Sequence, residues 1–174
     1  MRNGTACLVV AVVLFGATGC GSGSKGGGSG GRAIETSVSG SKTFDSLTPG
    51  EVTQVCQDLA PGLFDASCRF TAEITAGVAA ASDATLTDAQ LATACDDEFN
   101  RCETQFAPDD CANVTAPPNC SATVAEYVAC LVDYFGAVPA CDGLTRDAIT
   151  AAAAAPYPPS CATVRGKCAT LAPQ

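Results

Sequence analysis

The chain has no histidine and no tryptophan, and its single methionine is Met1. Without histidine there is no Ser-His-Asp or Cys-His catalysis, no imidazole metal ligand and no covalent haem attachment through C-x-x-C-H. C-x-x-C does not occur either; the closest cysteines are Cys95 with Cys102 and Cys161 with Cys168. A thioredoxin-like redox site and a zinc ribbon are therefore excluded. There is no P-loop, and the glycine-rich run near the N-terminus does not join a strand to a helix, so it is no phosphate cradle. Basic side chains are scarce: from Phe44 to Gln174 there are five Lys or Arg against 17 Asp or Glu. A domain so acidic is repelled by nucleic acid and by anionic headgroups, and nucleic acid is excluded as a partner. Large apolar residues are few as well. Val, Ile, Leu, Phe and Tyr make up 28 of those 131 residues, and alanine supplies much of the remaining apolar count.

Cysteine is what the sequence has in excess. Cys56, Cys68, Cys95, Cys102, Cys111, Cys120, Cys130, Cys141, Cys161 and Cys168 all follow Phe44. A small domain with a thin core is stabilised by disulfides in an oxidising compartment. Five bonds are expected, each contributing ~2–4 kcal/mol by restricting the unfolded chain. Their connectivity is open, because ten cysteines admit several hundred pairings. Helix geometry removes every pairing that contains a Cys95–Cys102 bond. Cys95 and Cys102 lie about 10.5 Å apart along one helix axis, beyond the ~7 Å that a disulfide spans. They must bond to different elements, with partners expected on the first two helices and at Cys111. Cys161 and Cys168 are separated in the same way.

The N-terminus reads as an export signal. Met1-Arg2 precedes an uncharged apolar run from Cys7 to Phe15, then small residues lead to Cys20. The run is far shorter than the ~20 residues a membrane-spanning helix needs. Residues 1–19 are expected to be removed, and Cys7 with them. Gly21 to Gly31 holds seven glycines and three serines, the composition of a flexible tether. The expected organisation is a signal peptide over 1–19, a linker over 20–43 and a cysteine-rich acidic domain over 44–174.

That domain reads as all-α, a disulfide-stapled bundle of about five helices. Thr48-Pro49-Gly50-Glu51 is a capping box opening a helix that should stop before Pro61-Gly62. A second helix is expected from about Leu63 to Ala81, with Phe70, Ile74 and Val78 at four-residue spacing. Thr87-Asp88-Ala89-Gln90 opens a third, striped by Leu91, Cys95, Phe99, Cys102 and Phe106. Thr123-Val124-Ala125-Glu126 opens a fourth, with Val124, Tyr127, Val128, Leu131 and Phe135 on one face. A fifth begins near Thr145 and ends at Pro156, and a short last helix follows Ser160. Nearly every proline falls at a predicted boundary. Pro117-Pro118-Asn119-Cys120-Ser121-Ala122-Thr123-Val124 is echoed by Pro158-Pro159-Ser160-Cys161-Ala162-Thr163-Val164, too briefly to be a duplication.

Catalytic candidates are poor. Asp96-Asp97-Glu98 are neighbours on a helix and so point to different faces, as a solvated surface does. Asp109-Asp110 with Asn113 could hold calcium in a loop, although the EF-hand pattern is absent. Asn113-Val114-Thr115 and Asn119-Cys120-Ser121 match the N-glycosylation acceptor pattern. No catalytic residue, metal or cofactor is expected.

Ala17-Thr18-Gly19-Cys20 resembles the bacterial lipobox, with Ala17 where Leu is preferred; the same residues also suit ordinary signal-peptidase cleavage. The resemblance implies a lipid on Cys20, which also leaves an even number of cysteines for pairing. Gly21 after that cysteine implies sorting to the outer membrane. With the lipobox and tether, Cys120-Ser-Ala-Thr-Val-Ala-Glu-Tyr-Val-Ala-Cys130-Leu-Val-Asp133 is similar to the small cysteine-rich lipoproteins of myxobacterial-type genomes. Those have no assigned activity, so the resemblance implies location and fold. The leading expectation is a non-enzymatic envelope lipoprotein, held at the membrane by its N-terminal lipid, with a structural or interaction role. The alternative is a binder of a small apolar ligand, a lipid or sterol: the Pro117-Pro118-Asn119-Cys120 loop is locally similar to elicitins, although the Cys-Cys and Cys-x-Cys spacing of plant lipid-transfer proteins is missing. An enzyme ranks third, and two carboxylates converging in a cleft would be its signature.

Overall fold

The computed structural model describes residues 33–105 and 111–173. Five α-helices follow one another: α1 (Pro49–Ser82), α2 (Asp88–Gln105), α3 (Val124–Gly136), α4 (Arg146–Ala153) and α5 (Pro159–Lys167), with single 3-10 turns at Phe44–Ser46, Cys111–Asn113 and Cys141–Gly143. The described residues carry no sheet, only an isolated bridge between Thr43 and Thr123. The fold is all-α, as the periodicity predicts.

Capping chemistry sets where the helices begin. Thr48 and Glu51 form a reciprocal capping box, and Thr123 and Glu126 form another. The Gln90 amide donates to Thr87 Oγ1 at 3.3 Å while the Thr87 amide donates to Gln90 Oε1 at 2.9 Å. Thr145 accepts from the Ala148 amide at 3.1 Å.

The expected break at Pro61-Gly62 does not occur. One 34-residue helix runs straight through Pro61, replacing the two that were expected. An interior proline costs ~3 kcal/mol of helix stability. Packing on both sides offsets it: Val52, Val55 and Leu59 are buried before it, and Cys68, Ala72 and Ala76 after it. Cys56 and Cys68 also tie the two halves to separate partners. Gly62 itself is buried at a close approach, since a Cβ there would lie 2.7 Å from the Ala33 carbonyl oxygen.

The second half of α1 buries a different face from the one that its large residues mark. Ala72, Ala76 and Ala80 are buried, while Val78 is 61% exposed and Ile74 37%. The reason is proximity. The Cys68–Cys102 bond holds α1 to α2 with Cα atoms 5.5 Å apart, and only small residues fit such a contact.

The remaining pairs are Cys56–Cys111, Cys95–Cys141, Cys120–Cys168 and Cys130–Cys161, closing separations of 55, 46, 48 and 31 residues. Cys95 and Cys102 bond to different elements, as do Cys161 and Cys168. Cys102 finds its partner in the expected region, but Cys95 does not: it is fully buried beside Leu144 and bonds the turn ahead of α4. Cys111 bonds Cys56 of α1 instead.

Two buried clusters result. The larger joins the first half of α1 to α3 and α5 through Leu59, Tyr127, Leu131, Cys161 and Val164. The smaller joins the second half of α1 to α2 and the turn before α4 through Ala72, Ala76, Cys95 and Leu144. Phe106 of the expected α2 stripe lies outside the described residues; Leu91 and Cys95 are buried, and Phe99 and Cys102 half-buried.

Residues ahead of Phe44, where composition drew the domain boundary, also pack on the domain. Residues 33–43 form a strap across the larger cluster, against which Ile34 and Val38 pack. The Val124 and Ala125 amides donate to the carbonyls of Lys42 and Gly40, both at 2.9 Å. These are first-turn amides of α3 that have no partner within their own helix. Short-range composition could not reveal a role whose partner lies about 80 residues away.

The far end of α1 is closed by one side chain. Arg146 donates to the carbonyls of Ala80 at 2.5 Å and of Asp83 and Leu86 at 3.3 Å. A guanidinium at a helix C-terminus satisfies orphan carbonyls and complements the helix dipole. Arg146→Ala is expected to cost about 1–3 kcal/mol. Urea denaturation should show a lowered midpoint at unchanged slope, with Arg146→Lys recovering only part of the loss. A change below about 0.5 kcal/mol for Arg146→Ala would contradict this role.

Candidate functional site

The sequence-derived candidates do not converge. Asp96 and Asp97 are exposed on α2, and Glu98 is bonded to Arg101 of its own helix. Asn113 is exposed on its 3-10 turn, whereas Asp109 and Asp110 lie outside the described residues. Among the described residues no three Asp, Glu, His or Cys side chains come together as a metal site would require. Cys20 and the Ala17-Thr18-Gly19 segment before it also lie outside them. The stretch Val124–Gly143 has the length and mean hydropathy, 1.3, of a membrane-crossing segment. Its helical part ends at Gly136, at about 20 Å, and a disulfide ties it to α5. It is a core helix.

Three groupings carry polarity or aromatic surface in an organised way. The first is Asp58, on the outer side of α1 beneath the strap. Its Oδ2 accepts from the Ser37 amide and hydroxyl, each at 2.7 Å, and from Thr36 Oγ1 at 3.0 Å. Gln54 Nε2 donates to Oδ1 at 2.6 Å. These bonds, led by the Ser37 amide, hold the carboxyl at about 2. Beside it lies an open polar depression lined by Ala33, Glu35, Thr36, Ser37 and Asp58. Its walls are hydroxyls, carboxylates and backbone, which suit water better than a sterol.

The second is a cluster of half-buried rings where α1, α3 and the segment before α5 meet. Phe70 lies 6.0 Å from Tyr134 and 6.4 Å from Phe135, centroid to centroid. Tyr134 packs edge-on against Phe135 at 5.2 Å and against Tyr157 at 6.4 Å. Burial raises the Tyr134 hydroxyl above its usual range. The outer side of Tyr157 carries the Arg165 guanidinium 4.2 Å from its centroid.

The third is Glu73. It is the one charged residue buried among those described, 7% exposed, and burial pushes its carboxyl up. Reading the sequence face by face missed all three groupings. Asp58 depends on a strap assigned to the linker. For Glu73 a signal was available: it is the only charged residue between Arg69 and Asp83, in a run rich in alanine.

The five disulfides point to an oxidising compartment outside the cytoplasm. There the strap should respond to acid through Asp58. A carboxyl lowered in the folded state contributes stability above its unfolded value near 3.8, and that contribution is lost as pH falls through about 2. Hydrogen exchange at Ser37 and Val38, corrected for its intrinsic pH dependence, should stay slow from pH 7 to about 4 and accelerate towards about 2. Asp58→Ala should accelerate it about tenfold or more between about pH 4 and 7, and the difference from wild type should shrink towards about pH 2. Equal protection in that variant would show that the strap is held by other means.

No protein-family model, curated protein or solved structure matches the chain.

Proposed function

We propose that the protein is a non-enzymatic lipoprotein of the bacterial envelope, lipidated at Cys20, with a compact disulfide-stapled domain serving an interaction or structural role. The observation that carries the reading is the cysteine accounting. All ten cysteines of the domain bond one another, so Cys20 is left without a partner among them. An unpaired cysteine directly after Ala17-Thr18-Gly19 is where a lipobox places its acyl group. The similarity of Cys120 to Asp133 to small myxobacterial-type lipoproteins supports the same reading, and Gly21 favours the outer membrane.

Docking of residues 33–43 on the domain shortens the leash. Twelve residues, Gly21 to Arg32, separate Cys20 from the strap, a span of at most about 45 Å when fully extended. The domain is thereby kept close to the bilayer, and its acidity limits adhesion to anionic headgroups.

A second reading, binding of a small ligand, is favoured by the half-buried ring cluster on α1 and α3. It is compatible with anchoring, since the rings and the strap engage different residues.

Intact-mass spectrometry of the protein extracted from its native membrane tests the anchoring. The expected species begins at Cys20, carries a diacylglyceryl mass, and gains about ten mass units on reduction of five bonds. A species beginning at Cys20 without lipid mass would replace anchoring by simple secretion.

A further inference from the structure

We propose that Glu73 and the adjoining ring cluster form a recessed site for a small organic cation, an alkyl- or quaternary-ammonium group. The site does not depend on how the chain is anchored.

The argument starts from charge. An ionised carboxylate held in a largely apolar setting is unfavourable unless a cation or several donors compensate it. Glu73 has neither among the described residues, and burial is the cause of its raised pKa, with no cation acting against it. Every cation of the described domain is engaged elsewhere. Lys42 is on Glu51 and Lys167 on Glu126; Arg101 is on Glu98. Arg146 closes the end of α1, and Arg165 lies on Tyr157. Arg69, one turn before Glu73, is turned towards Asp65 at 3.0 Å and lies over the Phe99 ring at 5.3 Å. The described residues supply no counter-ion for this carboxylate.

Access follows from the accounting of polar atoms. No side-chain oxygen in the described residues is both sealed from water and without a partner. The Glu73 oxygens have no partner, so they reach the surface although nine-tenths of the residue is covered. The carboxylate is recessed rather than entombed.

The surroundings select the kind of cation. Phe70 is three residues before Glu73 and Gly77 four residues after it, the spacings that make neighbours on a helix. Phe70 belongs to the ring cluster with Tyr134 and Phe135. At Gly77 a Cβ would stand 3.2 Å from Ile149 Cγ2, so α4 forms the opposite wall and the missing side chain leaves it close. Exposed Ile74 extends the apolar border. A single carboxylate beside rings and aliphatic walls lacks the several oxygens a calcium ion takes. It matches a weakly hydrated ammonium whose charge meets the carboxylate and whose methyl or methylene groups lie on ring faces. The excess of acidic residues raises the local concentration of any such cation.

The test uses the full oxidised chain and NMR titration at constant ionic strength and pH 7. The probes are tetramethylammonium, choline and 3,3-dimethylbutanol, the last being the uncharged counterpart of choline. Saturable shifts with the two cations are expected, with Kd of about 1–10 mM, centred on Phe70, Glu73 and Tyr134. The neutral alcohol should bind about tenfold or more weakly. Glu73→Gln removes a buried charge that opposes folding at neutral pH, so this variant should remain folded, and it should weaken the cations about tenfold while leaving the alcohol unchanged. Phe70→Leu should weaken them about 2- to 30-fold. Shifts from the cations no greater than from sodium chloride would overturn the proposal. So would equal affinity for choline and its neutral counterpart, or unchanged choline affinity in Glu73→Gln.

Discussion

Disulfide cross-linking is the constraint on which the rest of this structure depends. A domain in which 28 of 131 residues are large and apolar has little surface whose burial could offset chain entropy. Five bonds closing separations of 31 to 55 residues lower that entropy in the unfolded chain instead. They also act as core material. Cys68, Cys95, Cys120, Cys130 and Cys161 are fully buried, and each cluster is built around at least one bond. Where the Cys68–Cys102 bond draws α1 to α2, the buried face of α1 is lined with alanine, so low apolar content and tight cross-linking go together there.

The bonds are distributed so that α1 becomes a spine. Its first half is tied to the turn at Cys111, its second half to α2, and Pro61 between them is tolerated because both flanks are held. The ends of the helices are finished by side chains and by the strap. Arg146 closes α1, threonine boxes open α1, α2 and α3, and the carbonyls of Gly40 and Lys42 receive the first amides of α3. Little regular packing remains to be supplied by large residues.

Much of this was legible in the sequence, and the exceptions have physical causes. Capping boxes are local, so Thr48, Thr87, Thr123 and Thr145 each marked a real helix start. Disulfide partners are remote, so Cys95 was expected to reach the early helices and instead meets Cys141. Proline is a local breaker, but tertiary burial outweighed it at Pro61. Large residues usually mark the inner face, yet Ile74 and Val78 point outward because a disulfide requires small residues at the α1–α2 seam. The strap escaped because composition cannot distinguish a linker from a segment whose hydrogen bonds go to a distant helix. The ring cluster draws on α1, α3 and the approach to α5, and no single stretch carries its signature.

The surface bears the same economy. Acidic residues are spread over exposed faces, and the domain's few cations are each committed to a carboxylate, a carbonyl or a ring. Glu73 stands out against that background because, among the described residues, it alone is a charged side chain buried without a counter-charge. The central claim, that cross-links replace a large core, is tested most directly by circular dichroism of the chain after full reduction and alkylation. The account predicts loss of most helix at 25 °C and neutral pH and of any cooperative thermal transition, since five bonds together contribute about 10–20 kcal/mol, as much as the usual total stability of about 5–15 kcal/mol or more. A reduced chain that kept its helix content and unfolded cooperatively would contradict it.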